Sequence, residues 1–413
     1  MSKLDAALRY LESRRDAMVR RLQTWCDQNS GSDQLIGLAE MADLLCQDYQ
    51  QLGGGPRRSK TPPFTTVGDD GVSYQQHSGD LIRWDHDMEA SRRVLLMIHY
   101  DTVYPADSQP QKTSLVAPDR LVGPGVADAK GGLLVMLEAL AAARRFELDE
   151  GIGWTAVANP DEEIGSPATT AWMREQAAHF QFGMLFEPTL PDGSFVAARK
   201  GSGNMTIVVR GRSAHAGRNP SAGRNAVVKL CQILAEIDGL NCGTTALQTG
   251  GSDATGTTVN VARVRGGSAL NRVPDLAVGR FNARVVDADA QRSLQHQIEE
   301  IISRHHADSD YQVELSGGFQ SPPKVITPAY DALRARIESA AHALGREIKW
   351  RDTGGSCDGS KLAAAGLINV DTFGPGGDCL HSPDEWVDLD SLVPATQLVI
   401  TLLHQYALSN KAA

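Results

Sequence analysis

Short, wholly apolar runs alternate with stretches of helical periodicity along most of this chain, as expected where strands and helices take turns. Residues 94–98 read as a buried strand, followed by a helix over 131–146 with Leu133, Leu134, Leu137 and Leu140 at helical spacing. Residues 154–158 and 183–186 read as further strands, 367–373 as a late strand and 392–406 as a closing helix. This alternation predicts an α/β fold. The middle of the chain reads as strand 205–210, helix 226–237, strands 257–264 and 277–286, helix 288–306 and strand 311–316. That β-α-β-β-α-β order is a ferredoxin-like pattern. Gly201 and Gly203 open it, and Gly317, Gly318, Pro322 and Pro323 close it. The expectation is an α/β catalytic domain assembled from residues 1–200 and 318–413, interrupted by an α+β lid of residues 201–317.

Composition narrows the function classes. The chain has 413 residues, 41% hydrophobic and 22% charged, which suits a globular protein of two domains. A formal net charge of −10 disfavours nucleic acid as a partner, because phosphate binding needs a basic surface. Residues 1–28 are charged throughout and read as an amphipathic helix without the apolar core of an export signal. No run is long enough to span a bilayer, so the expectation is a cytoplasmic protein with no membrane partner. The six cysteines, Cys26, Cys46, Cys231, Cys242, Cys357 and Cys379, are scattered with no C-x-x-C pair, which predicts reduced thiols and no structural zinc knuckle.

The candidate chemistry lies just past the strands or in loops leading to helices. N-P-D-E-E-I-G-S at 159–166 sets Glu162 beside Glu163, and adjacent carboxylates repel unless a cation offsets them. One of the pair can then bind metal while the other moves protons. His99 and Asp101 follow the strand 94–98 two residues apart and so share a face. Asp101 suits the role of orienting a metal-bound imidazole through its other nitrogen. The glycine-rich stretch 123–132 carries Asp128 but lacks the G-K-[ST] of a phosphate loop. Glu187 ends another strand, and His381 lies in a late loop. Singly, each is an ordinary polar loop residue; together they form a nitrogen and oxygen donor set suited to zinc, with cobalt or manganese as substitutes. Cys357 lacks a histidine partner that would make it a nucleophile.

In their order along the chain, H-Y-D-T-V at His99, G-V-A-D-A-K-G-G around Asp128, D-E-E-I-G-S at Asp161, Glu187 and His381 resemble one family over nearly the whole length. It is the di-zinc metallopeptidase family of aminoacylases, acetylornithine deacetylases, succinyl-diaminopimelate desuccinylases and glutamate carboxypeptidases. The resemblance implies two zinc ions per subunit: one on His99, Asp128 and Glu187, the other on Asp128, Glu163 and His381. It implies an unusual peptide at Asp128-Ala129, which is cis in relatives, and Glu162 as general base and then acid. S-A-H-A-G at 213–217 resembles the family's lid motif, which implies that His215 reaches the partner subunit's site in a homodimer. Asn271 and Arg284 match positions that bind the substrate's free carboxylate, and Gly354 and Gly355 begin a stretch resembling the substrate loop.

The implied activity is cleavage of an N-acyl-amino acid or short peptide in the manner of the glutamate carboxypeptidases. A deacetylase or desuccinylase of an amino-acid pathway intermediate is the alternative, and a non-catalytic metal-dependent binding protein the remote one. One departure stands out. Those carboxypeptidases carry an arginine near the second hinge, where this chain reads Ser316-Gly317-Gly318-Phe319-Gln320-Ser321. Arg272 and Lys200 are the candidate substitute cations for the substrate's carboxylate, and the sequence does not choose between them.

Overall fold

The computed structural model describes residues 2–241 and 256–409; Cys242 lies outside the described residues. A six-stranded sheet runs in the spatial order Arg57–Lys60, Asp80–His86, Gly153–Asn159, Arg93–His99, Phe182–Leu185, Asn369–Val370. The first two pairings are antiparallel and the remaining three parallel. Both faces of its central strand are covered, which is why that strand is apolar without alternation. Val94, Leu96 and Ile98 enter one core, shared with helices Lys130–Arg145 and Leu392–Leu408, while Leu95 and Met97 enter a second core with Met173 and Leu362. Each such fully buried aliphatic side chain contributes on the order of 1.5–3 kcal/mol through removal from water.

Residues 201–321 build a separate antiparallel sheet in the order Thr258–Gly266, Leu276–Val285, Gly201–Arg210, Gln312–Ser321. Helices Ala226–Asp238 and Ala288–His306 cover one face, around Ile207, Leu230, Ile233, Phe281, Leu294 and Ile298. The strand expected to stop at residue 316 continues through Gly317 and Gly318 to Ser321, with Gly317 paired to Met205.

Other elements differ from the sequence reading. The N-terminal stretch is two helices, Lys3–Glu12 and Arg15–Cys26, rather than one. They separate at Ser13 and Arg14, where Ser13 Oγ donates to the Tyr10 carbonyl at 2.6 Å and Arg14 turns in to the buried Glu138 at 2.9 Å. The late strand shrinks to Asn369–Val370, because Asp371 leaves the ladder to take Arg199 and Lys324. A small sheet of Ser114–Ala117, Arg120–Val122, Trp386–Asp388 and Gly377–Asp378 was not foreseen. Its strands are too short and polar to stand out in the sequence, yet they clamp both ends of the loop that carries His381. Among the described residues no helix is long and apolar enough to cross a membrane.

Candidate metal centre and active site

Three of the four mutually parallel strands of the main sheet deliver His99, Glu162, Glu163 and Glu187 at their carboxyl ends, where open α/β sheets bind ligands, and two loops add Asp128 and His381. His99 ends Arg93–His99. Glu162 and Glu163 form a single 3-10 turn, Glu162–Ile164, just after Gly153–Asn159. Glu187 lies two residues past Phe182–Leu185, and Asp128 sits immediately before helix Lys130–Arg145. His381, with φ 60°, occupies the loop between Gly377–Asp378 and Trp386–Asp388.

Asp128 stands at the centre. Its Oδ1 lies 3.1 Å from His99 Nε2, and its Oδ2 lies 3.2 Å from His381 Nε2. Each histidine is also near a glutamate: His99 Nε2 is 3.9 Å from Glu187 Oε2, and His381 Nε2 is 3.3 Å from Glu163 Oε2. Ligand atoms of His99, Asp128 and Glu163 all fall within 4.8 Å of one another. The peptide Asp128-Ala129 is cis. Asp101 faces the other nitrogen of His99: His99 Nδ1 is 2.9 Å from the Asp101 carbonyl and 3.3 Å from its Oδ1. The Asp101 carboxylate also accepts from the backbone N–H of Glu162 at 3.1 Å and of Glu163 at 3.2 Å. One side chain therefore orients an imidazole and fixes the turn bearing both glutamates.

The electrostatics suit a cation. Burial, then the neighbouring Asp128 charge, pushes the Glu163 carboxyl up to about 7. Burial, opposed by His99 and reinforced by Asp128, pushes Glu187 up to about 8. Burial raises Glu162 well above the usual carboxylate range, with Asp358 and Glu187 adding to it against His99. Burial works the same way on Asp128, but hydrogen bonds from His381 and His99 outweigh it and hold that carboxyl below its usual range. Glu163 Oε1 is buried with no hydrogen-bond partner. Crowded carboxylates with an unpartnered oxygen and two imidazoles fit divalent cations that accept nitrogen and oxygen donors.

Local sequence explains the placement. Gly132 lets the helix approach its neighbouring strand: a Cβ there would lie 1.9 Å from the Phe186 carbonyl oxygen. Glu385, which the sequence reading missed, shapes the loop before that helix. Its Oε1 accepts from the N–H groups of Ala127 at 2.9 Å and Asp128 at 3.0 Å, and its Oε2 from Gly125 N at 3.1 Å and Tyr104 OH at 2.6 Å. The one available signal was its position four residues after His381. Two further buried networks were also missed. Asp358 takes Asn159 Nδ2 at 2.7 Å, Ser166 Oγ at 2.5 Å and Lys361 Nζ at 2.7 Å. Asp371 takes Arg199 at 2.9 Å and Lys324 Nζ at 2.8 Å, and its carbonyl accepts from Glu187 N at 3.1 Å.

The substrate-side candidates divide. Arg284 donates to the Gly354 carbonyl at 3.3 Å and to Ser356 Oγ at 3.2 Å, and it interacts electrostatically with Glu162. The Gly355 carbonyl accepts from Arg199 at 3.3 Å. Arg284, Gly354 and Gly355 thus border the carboxylate cluster. Asn271 and His215 do not: both are exposed, and they lie together where Ala216 N donates to the Asn271 carbonyl at 2.9 Å. His215 Nδ1 accepts from Gly217 N and Arg218 N, each at 3.1 Å. Arg272 is engaged by Ser213 Oγ at 2.6 Å and Asp275 at 2.8 Å, and Lys200 Nζ donates to the Gly256 carbonyl at 3.0 Å. At the second hinge Gln320 is bound to Asn204, with its Oε1 accepting from Asn204 N at 2.7 Å.

Residues 95–405 match the sequence profile of Peptidase family M20/M25/M40, and the chain belongs to that family of metal-dependent hydrolases. It is 29% identical over 320 residues to succinyl-diaminopimelate desuccinylase of Gluconobacter oxydans (strain 621H), a match covering 75% of this chain and 80% of that protein. It is 24% identical over 385 residues to carboxypeptidase G2 of Pseudomonas sp. (strain RS-16), covering 91% and 86%. Among solved structures, an M20 family metallo-carboxypeptidase from Sulfolobus solfataricus shares the fold with a TM-score of 0.74 at 17% identity, covering 95% of this chain and 99% of that one.

Proposed function

We propose that the protein hydrolyses the amide bond of an N-acyl-amino acid or short peptide at a dinuclear metal centre. The observation that carries this reading is Asp128, whose two oxygens face His99 and His381 separately, each histidine accompanied by its own glutamate. His99, Asp128 and Glu187 would hold one ion, and Asp128, Glu163 and His381 the other. Zinc suits these donors best, with cobalt or manganese as substitutes. When bound, such a metal pair lowers the pKa of a shared water and polarises the scissile carbonyl.

The chain's own residues supply the rest. The Glu162 carboxylate takes a proton from the attacking water and returns it to the leaving nitrogen, a role suited to its place on the turn beside Glu163 that Asp101 fixes. Asp101 keeps His99 in the tautomer and orientation that ligation requires. Arg284, beside the 354–356 loop, receives the free carboxylate of the substrate as a bidentate partner. Residues 201–317 serve as lid and dimerisation unit on a catalytic unit made of 1–200 and 318–413. His215, exposed and remote from its own cluster, is read as reaching the site of a second subunit.

Within this class an N-acyl-amino-acid carboxypeptidase is favoured. Release of C-terminal glutamate is not specified, because the second hinge offers Gln320 rather than a cation. A desuccinylase or deacetylase is the second reading, supported by the match to the Gluconobacter enzyme. The test is hydrolysis of a panel of N-acetyl-, N-succinyl- and N-aminoacyl-amino acids with and without chelator. The expected result is turnover abolished by chelation and restored by zinc. Glu162→Gln should lower kcat by roughly 10²–10⁴ while metal content stays at the wild-type level. Turnover that ignores chelation sinks the metal reading, and near-normal rates in Glu162→Gln reassign the base.

A further inference from the structure

A two-stranded hairpin, Phe64–Val67 with Ser73–Gln76, is inserted between the edge strand Arg57–Lys60 of the main sheet and its antiparallel neighbour Asp80–His86. Its base is anchored there: Thr61 Oγ1 donates to the Gly79 carbonyl at 2.8 Å and Ser78 Oγ to the Pro160 carbonyl at 3.0 Å. Its tip is stiffened by Gly68 N to the Val72 carbonyl at 2.9 Å, by Val72 N to Asp70 Oδ1 at 3.0 Å and by a Tyr74–Asp70 hydrogen bond. That tip reaches the sheet built by residues 201–321. It lies on the face of the 201–321 sheet opposite the two helices.

Three arginines from two strands converge there on one carboxylate. Arg280 Nη1 lies 2.5 Å from Asp69 Oδ1, Arg263 pairs with Oδ2, and Arg265 Nε is 3.6 Å from it. Arg280 also donates to the Val67 carbonyl at 2.8 Å, and Arg210, from a third strand, donates to the Gly71 carbonyl. The fit is close. Gly71 has φ 68°, and a Cβ on it would lie 2.8 Å from Val208 Cγ1 and 3.1 Å from Leu276 Cδ1. The strand Leu276–Val285 carries Arg280 and, four residues on and on the same face, Arg284. Its two contacts with the main body are thus about 13 Å apart along one rigid element. One is Asp69; the other is the Gly354–Ser356 loop beside Glu162.

We propose that Asp69 is a positioning residue: it latches the hairpin to the lid sheet and thereby holds Arg284 in register with the catalytic cluster. This rests on the reading of Arg284 and Glu162 given above. The pairs are partly exposed, with 40% of the Asp69 side chain and 25% of that of Arg280 accessible, so the latch is screened by salt and releasable rather than permanent. Removing the carboxylate also leaves three like charges facing one another.

The test pairs amide hydrogen exchange with steady-state kinetics on the best substrate of the panel. In Asp69→Ala, exchange of amides in residues 64–76 and 276–285 should accelerate by about ten-fold or more as local opening becomes easier. KM should rise about three- to ten-fold with kcat within about two-fold, the pattern of lost ground-state positioning. Asp69→Glu should restore most of both effects. Should Asp69→Ala not fold, Gly71→Ala lifts the tip with the charges intact and should reproduce both changes. Unchanged exchange in residues 276–285, or a glutamate variant as impaired as the alanine one, overturns the latch. The exchange arm needs no turnover, so it stands or falls independently of the assigned reaction.

Discussion

The two oxygens of Asp128 face different histidines, His99 and His381, and each histidine stands near a different glutamate, which is the arrangement the proposed two-metal reading rests on. A second carboxylate, Asp371, is shared in a comparable way between two protein cations, Arg199 and Lys324, and its carbonyl accepts from Glu187 N. Burial alone raises that carboxyl, but Arg199 and Lys324 more than reverse the effect and hold it below the usual range. A group whose folded pKa is depressed contributes stability above its unfolded pKa and loses it as pH falls. The contribution of Asp371 is therefore full at neutral pH and fades below about pH 4. Asp371→Asn leaves two buried cations without their carboxylate and should cost about 3–5 kcal/mol at pH 7. The gap from wild type should narrow as pH falls towards 3, which urea unfolding across that range measures. A gap independent of pH would mean that packing, not charge, holds the triad.

At the scale of elements, the helix Lys130–Arg145 and the strand Phe182–Leu185 set the distance between Asp128 and Glu187. Gly132 is the point of closest approach, since an added Cβ would meet the Phe186 carbonyl oxygen at 1.9 Å and only backbone movement can relieve that contact. Gly132→Ala should destabilise the fold by about 1–3 kcal/mol, as overpacking does. Because the strain falls between the elements that place Asp128 and Glu187, both ligands in the proposed centre, bound metal per folded chain should drop with it. A variant with full metal content and wild-type stability would show that the helix shifts freely. The elements that could be read from the sequence were those with a strong local period: the buried strand beginning at Arg93, the helix beginning at Lys130 and the β-α-β-β-α-β order of the middle. Those that could not be read were short or polar: the strand Asp80–His86, broken by Arg83 and Asp85, and the clamp of Gly377–Asp378 against Trp386–Asp388. Their pairing energy comes from partners elsewhere in the chain and leaves no period to detect.

For the whole molecule, the exposed His215 and Asn271 raise the question of a second subunit. If His215 completes a neighbouring site, then His215→Ala and Glu162→Gln subunits, each inactive alone, should regain up to about a quarter of wild-type activity when mixed and reassociated, because one of the two sites in a mixed dimer is intact. No recovery, or full activity in a strictly monomeric preparation, would return His215 to a structural role on its own lid. By itself the sequence marked His99, Glu162, Glu163 and Glu187 as candidates, because each follows closely on an apolar strand and chemistry at the end of a strand is a local pattern; Asp128 and His381, in loops outside that pattern, stood out through their motifs. Only the tertiary structure decided how those residues gather around Asp128, which side chains shape and brace them, and what docks on the 201–321 sheet. Glu385 meets Asp128 across 257 residues of chain and Asp69 meets Arg280 across 211. A contact between residues so far apart is created by folding, and neither partner carries a mark of it in its own neighbourhood.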